Sequence, residues 1–276
     1  MSIRYSPDPV RSEAMGTEEL RQSFLIDSLF GADRISLHFS DLDRAIVGSA
    51  VPASGPLSLE ATPELRAKTF CERRELGVLN IGGPGTVTVD GTRHALGKRD
   101  ALYVGRGSQA VAFASDSADE PAKFYLLSYP AHASHPTRRI LEEEAEKVSL
   151  GSQETCNRRT LSKLIHPGGA RSCQLVMGFT RLEPGSVWNT MPPHTHERRM
   201  EVYLYFDLPP GARVFHLMGR PGATRHLVVG EGEAVLSPSW SIHSGVGTGA
   251  YTFCWGMGGE NQAFDDMDLL TTDQLR

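Results

Sequence analysis

The segment Pro192-Pro-His-Thr-His-Glu-Arg-Arg-Met-Glu201, answered further along by Ser237-Pro-Ser-Trp-Ser-Ile-His243, constrains the fold more than any other feature of this chain. On an extended strand alternate side chains share a face, so His194 and His196 direct two imidazoles to one place. Glu201 lies an odd number of residues beyond His196, and an unbroken strand would turn it to the opposite face. A bend over Glu197 to Met200 is therefore expected, with Glu201 returning on the next strand. The run from Glu201 to Asp207 suits a strand, being β-branched and aromatic, with Glu201, Tyr203 and Tyr205 on one parity. Three neutral imidazoles and a carboxylate, His194, His196, His243 and Glu201, form a donor set for a borderline divalent cation, zinc first, with a coordination position left open for chemistry. A His-X-His pair alone is as often an idle surface feature; Glu201 and His243 weigh against that reading.

The 276 residues suffice for one large or two ordinary domains. A net charge of −5 removes any general attraction to nucleic acid or anionic membrane and leaves anionic small molecules as ligands through local basic groups. Cys71, Cys156, Cys173 and Cys254 contain no Cys-X-X-Cys pair, so neither a disulfide framework nor a thiolate zinc site is expected. There is no apolar signal core near the N-terminus and no run of membrane-spanning length, so the expected compartment is the cytoplasm.

Leu20, Phe24, Leu25 and Leu29 fall near helical spacing and predict one helix from about Thr17 to Phe30, with an incomplete capping box because Leu20 stands three residues after Thr17. From Ile35 onward short apolar runs are punctuated by Gly, Pro and Asp, as in Thr86 to Val89 before Asp90-Gly91, which reads as hairpin-rich β structure. The charged stretch Leu141 to Lys147 marks a connection, dividing the chain into 1–145 and 146–276. A weak repeat supports two β-rich halves: Thr92-Arg-His94 precedes Gly97, Asp100 and Ala101-Leu-Tyr103, and Thr224-Arg-His226 precedes Gly230, Glu233 and Ala234-Val-Leu236. In that register Ala110 takes the place of His243, and the first half has no His-X-His. One metal ion per chain is expected, in the second half, with the first half structural.

The spacing His-X-His-X4-Glu, with Gly185 ahead and Pro238 to His243 behind, resembles the cupin pattern. That resemblance implies an all-β fold of two double-stranded β-helix, or jelly-roll, barrels after the short helix. The longer blocks Trp188 to Tyr203, Phe215-His-Leu-Met218, Ser237 to Gly247 and Trp255 to Met267, with Asn80 to Gly85 and Ser128 to His132, resemble the 5-keto-4-deoxyuronate isomerase family. The resemblance implies a zinc-containing, usually hexameric enzyme of pectin and uronate breakdown. It would convert 5-dehydro-4-deoxy-D-glucuronate to 3-deoxy-D-glycero-2,5-hexodiulosonate, with His194, His196, Glu201 and His243 as metal ligands.

An aldose–ketose isomerisation needs stabilisation of enediolate charge and transfer of one hydrogen between neighbouring carbons. Glu197, His226, Tyr203 and Glu260 are the candidates for proton transfer, and a metal-assisted hydride shift would need none of them. A carboxylate substrate calls for a guanidinium, from Arg198, Arg199 or Arg225, and Trp188, Met191, Trp240 and Met257 are candidates for an apolar wall. Each of these residues has an ordinary alternative as solvated surface or core packing. Two other functions fit the same donors: an iron-dependent cupin oxygenase and a non-catalytic sugar-acid-binding bicupin.

Overall fold

The computed structural model describes residues 1–276, and strands dominate it; its only α-helices are Pro9–Glu13 and Thr17–Phe24. The chain forms two compact units, each drawn from more than one stretch of sequence. The first takes Met1–Arg4, Leu29–Glu146 and Lys163–Met177; the second takes Tyr5–Ser28, Lys147–Ser162 and Gly178–Arg276. Set beside a linear division at 145/146, residues 5–28, 146 and 163–177 change sides.

In the first unit β1 (Ile46–Val51), β2 (Leu57–Ser58), β3 (Arg74–Asn80), β4 (Gly85–Val89), β5 (Thr92–Leu96), β6 (Ala101–Val104), β7 (Val111–Ser115) and β8 (Phe124–Pro130) form two sheets. The larger runs Ser2–Arg4, Arg34–Ser40, β1, β8, β3, β6, Arg138–Ile140; the smaller runs β2, β7, β4, β5. Alternating residues of both sheets interleave in one buried cluster, with Ile46, Val78, Leu102 and Phe124 from one side and Val87, Val89 and Phe113 from the other. The β4–β5 hairpin turns on Asp90-Gly91, both at positive φ (48° and 83°), the combination that matches the twist of paired strands.

The segment 163–177 is held in this unit by the buried carboxylate of Glu75. It accepts the Tyr103 hydroxyl at 2.8 Å and the backbone N–H groups of Cys173, Gln174 and Leu175 at 2.6, 2.7 and 2.7 Å. Burial, with the adjacent carboxylate, pushes the Tyr103 phenol far above its ordinary pKa.

The second unit repeats the first. Its strands β9 (Val176–Leu182), β10 (Trp188–Asn189), β11 (Arg199–Phe206), β12 (Val214–Arg220), β13 (Ala223–Val229), β14 (Ala234–Ser237), β15 (Ser244–Gly247) and β16 (Thr252–Gly259) follow the same order in space. The larger sheet is Glu146–Leu150, Arg159–Ile165, β9, β16, β11, β14, Leu25–Ile26, and the smaller is β10, β15, β12, β13. Thr92-Arg-His94 and Thr224-Arg-His226 lie on the equivalent strands β5 and β13. The jelly-roll expectation needs one adjustment. In each unit the two sheets are separate hydrogen-bonded ladders, so neither is a closed barrel. The edge strands β2 and β10 are two residues long and end before a ladder could cross the seam.

The helix expected over Thr17–Phe30 stops at Phe24, because Leu25 and Ile26 pair antiparallel with Val235 and Ala234 on the edge of β14. That edge offers unpaired backbone groups and an apolar seat, which together outcompete another helical turn. The cap also lies one residue earlier than expected. Gly16 is the N-cap, and the Glu19 carboxylate accepts its N–H at 3.0 Å.

Candidate metal centre

Strand β11 lies between β16 and β14, and Glu201 faces Met257 on one side and Ser237 on the other. The bend before it is tighter than the sequence suggests. A turn at Glu197 and Arg198 suffices, the Arg199 N–H donates to the His196 carbonyl at 3.3 Å, and the strand begins at Arg199. His194 lies on a two-residue strand, His194–Thr195, paired with Asp268–Leu269, and His243 immediately precedes β15. All four side chains are buried, and one ligand atom from each lies within 4.8 Å of the others.

The hydrogen bonds around the ring identify the inward atoms. His196 Nδ1 is 2.9 Å from the Arg199 carbonyl oxygen and His243 Nδ1 is 3.3 Å from that of Ser241. A carbonyl oxygen only accepts, so each Nδ1 carries the proton and each Nε2 presents a lone pair. Both Nε2 atoms lie 3.1 Å from Glu201 Oε2, and His243 Nε2 is 3.0 Å from His194 Nε2. Lone pairs and a carboxylate at such distances repel one another unless a cation sits among them, so the donor set fits a divalent ion. Burial, reinforced by His243, pushes His194 down to about 3, which keeps its imidazole neutral and available as a ligand.

A cavity of about 320 Å³ opens beside the cluster, within the range of small-molecule sites. His194, His196 and Glu201 line it with Arg159, Thr190, Arg199 and Tyr203; Met191, Phe253, Trp255, Met257 and Phe264 supply apolar wall. Gly178 makes room for Trp255: a Cβ there would lie 2.4 Å from the indole, whose N–H donates to Thr180 Oγ1 at 3.1 Å.

The remaining sequence candidates divide sharply. Tyr203, Arg199, Met191 and Met257 line the cavity. Tyr203 places its hydroxyl 2.8 Å from Thr190 Oγ1, and burial raises its pKa well above the ordinary phenol value. Glu197, His226 and Glu260 are exposed and outside the lining, with Glu197 accepting from Ser239 Oγ at 3.3 Å. Arg198 pairs with Asp266 at 3.1 Å and Asp268 at 3.3 Å. Arg225 donates to the backbone carbonyls of Ser12, Glu13 and Met15, closing the end of the Pro9–Glu13 helix. Trp240 packs edge-on against Phe24 at 6.3 Å, and Trp188 is half-buried on β10; neither lines the cavity. Arg159, Thr190, Trp255, Phe264 and Asp266 were not singled out from the sequence. All but Arg159 lie inside blocks that carry the family resemblance, Thr190 in Trp188 to Tyr203 and Trp255, Phe264 and Asp266 in Trp255 to Met267, and that was the available signal.

The model of the KduI/IolB family matches residues 35–271. The chain belongs to this family. A relative from Lachnoclostridium phytofermentans is 54% identical over 276 residues, covering 100% of both chains. One from Burkholderia cenocepacia is 54% identical over 278 residues, again covering 100% of both. Both bear the name 4-deoxy-L-threo-5-hexosulose-uronate ketol-isomerase. Among solved structures, an IolB-like protein of Salmonella typhimurium superposes with a TM-score of 0.73 at 12% identity, covering 90% of this chain and 96% of its own. An oxalate decarboxylase variant of Bacillus subtilis superposes with a TM-score of 0.54 at 12% identity, covering 79% of this chain and 70% of its own. These last two likenesses concern the fold alone, which is cupin-like.

Proposed function

We propose that this chain is a metal-dependent ketol-isomerase converting 4-deoxy-L-threo-5-hexosulose uronate to 3-deoxy-D-glycero-2,5-hexodiulosonate in uronate degradation. The observation that carries the reading is the convergence of His194, His196, Glu201 and His243 at a cavity, in a chain whose full-length relatives bear that activity as their name. We assign these four residues as ligands of one zinc ion. A zinc ion held by these residues would supply Lewis acidity towards the substrate carbonyl and its neighbouring hydroxyl.

The chain's own residues do the rest. Backbone carbonyls of Arg199 and Ser241 lock the His196 and His243 tautomers. Trp255, Phe253 and Phe264 keep water from the reacting carbons. Tyr203, neutral at physiological pH, donates its O–H to Thr190 Oγ1, which itself donates to Asn189 Oδ1, so the phenol is held fixed in the cavity wall. The lining contains no carboxylate besides Glu201, which favours direct hydrogen transfer between the two carbons over a relay through a separate acid. In the first unit Leu76, the third residue of β3, stands where Glu201 stands in β11, and Ala110 precedes β7 as His243 precedes β15. We assign that unit a structural role.

Zinc-loaded protein incubated with the uronate in the absence of oxygen should yield an isomer of identical mass, followed by nuclear magnetic resonance and mass spectrometry. Strict dependence on oxygen, or a product heavier by oxygen, would overturn the isomerase reading in favour of an oxygenase.

A further inference from the structure

Two guanidinium groups line the cavity, and they are not equivalent. Arg199 is already neutralised: its Nη1 lies 2.5 Å from Asp266 Oδ1 and 3.2 Å from Asn261 Oδ1, and its Nε donates to the Met257 sulfur at 2.9 Å. Arg159 has no carboxylate partner. Its Nη1 donates to the Asn157 carbonyl at 2.9 Å and its Nη2 to the Met191 carbonyl at 3.3 Å, leaving three of the five guanidinium N–H groups without a protein acceptor. A carbonyl dipole orients a guanidinium and does not cancel its charge. A partly buried cation inside a ligand cavity is therefore poised for an anion, and a guanidinium fork with N–H groups to spare matches a carboxylate.

Location adds direction to this charge. Met191, which holds the guanidinium, lies on the segment running into His194, so Arg159 is fastened to the stretch that presents the first metal ligand. Arg159, Thr190 and Tyr203 share the cavity with three of the four cluster residues. We propose that Arg159 anchors the substrate's carboxylate and so decides which end of the substrate reaches the metal cluster, an assignment that rests on the isomerase reading above. In a hexosulose uronate the aldehyde and its neighbouring hydroxyl lie at the opposite end of the chain from the carboxylate. Fixing the acid at Arg159 presents the reacting end to the cluster and selects acids over neutral sugars.

The test compares steady-state turnover of the uronate and of its uncharged methyl ester in the parent, Arg159→Met and Arg159→Lys proteins, each checked for metal content and melting temperature. Arg159→Met should lower kcat/KM for the acid by at least about 30-fold, chiefly through KM, while turnover of the ester falls by far less. Arg159→Lys, which keeps the charge and loses the fork, should recover part of the loss. Equal losses on acid and ester, or no loss, would overturn the proposal. Calorimetric binding of D-glucuronate, which needs no turnover, separates the two readings. If the parent binds glucuronate through Arg159 but converts no uronate, the isomerase assignment falls and the anchor stands. If the parent isomerises the uronate and Arg159→Met binds glucuronate as tightly as the parent, the anchor falls and the isomerase stands.

Discussion

Replacing Asp266 by asparagine removes the carboxylate that neutralises Arg199, a residue only 2% exposed. Breaking a buried ion pair from one side costs about 3–5 kcal/mol when the orphaned charge keeps no other partner. Arg199 keeps Asn261 and Met257, and the Asp266 side chain is 14% exposed, so the low end applies. The acid's own titration leads to a similar figure. Burial opposes its charge, but hydrogen bonds from Arg199, Asn261 and Arg198 outweigh this and lower its pKa from 3.8 to about 2. By linkage that contributes about 2 kcal/mol to stability at neutral pH. Because the folded-state pKa is the depressed one, the contribution is complete above the unfolded value and is lost as pH falls through about 2.

Asp266→Asn should therefore lower the melting temperature of the second unit at pH 7 by roughly 4–12 °C, and the gap from the parent should narrow as pH falls through 3. The same pair holds the segment bearing Phe264, Met267 and Leu269, which line the cavity, and Asp268–Leu269 pairs with the strand of His194. A several-fold rise in KM should accompany the loss of stability. Circular-dichroism melts at several pH values, beside steady-state kinetics, make the test. A variant melting within about 1 °C of the parent at pH 7 would refute the reasoning.

Glu75→Ala should destabilise the first unit by more than about 3 kcal/mol in urea unfolding, since it strands the Tyr103 hydroxyl and three backbone N–H groups; a variant as stable as the parent would contradict that role. Alanine at His194, His196, Glu201 or His243 should abolish metal content and turnover together while the β fold persists in far-ultraviolet circular dichroism, and full occupancy with a normal rate would remove that residue from the site. Tyr203→Phe should leave kcat within about 10-fold of the parent with metal content unchanged, since direct hydrogen transfer needs no relay; a loss of about 100-fold would instead place the phenol in the hydrogen transfer.

How much of this was legible beforehand followed the range of the signal. Strand parity is local, so His194, His196 and the need for a bend before Glu201 could be read directly, although the bend proved to be a single turn. The weak Thr-Arg-His repeat correctly related β5 to β13 and put Ala110 opposite His243, because each unit keeps the same strand order. What escaped depends on which strands become neighbours. Arg159 and Trp255 reach the cavity from strands remote in sequence from His194, and Asp266 meets Arg199 through a C-terminal segment with no periodic pattern. Nearness in sequence also misled: Arg225 and His226 follow a motif, yet one closes a helix end and the other faces outward. The early end of the helix at Phe24 has the same origin, since the edge of β14 decides it and local propensity does not.

Turnover as a function of metal loading tests the central claim most directly. Protein stripped with a chelator and titrated with zinc should regain isomerisation of the uronate in proportion to occupancy, reaching a plateau at one ion per chain, with the Glu201→Ala variant silent throughout. Full activity in the stripped protein, or a plateau reached only with a second ion per chain, would contradict a single catalytic centre built from His194, His196, Glu201 and His243.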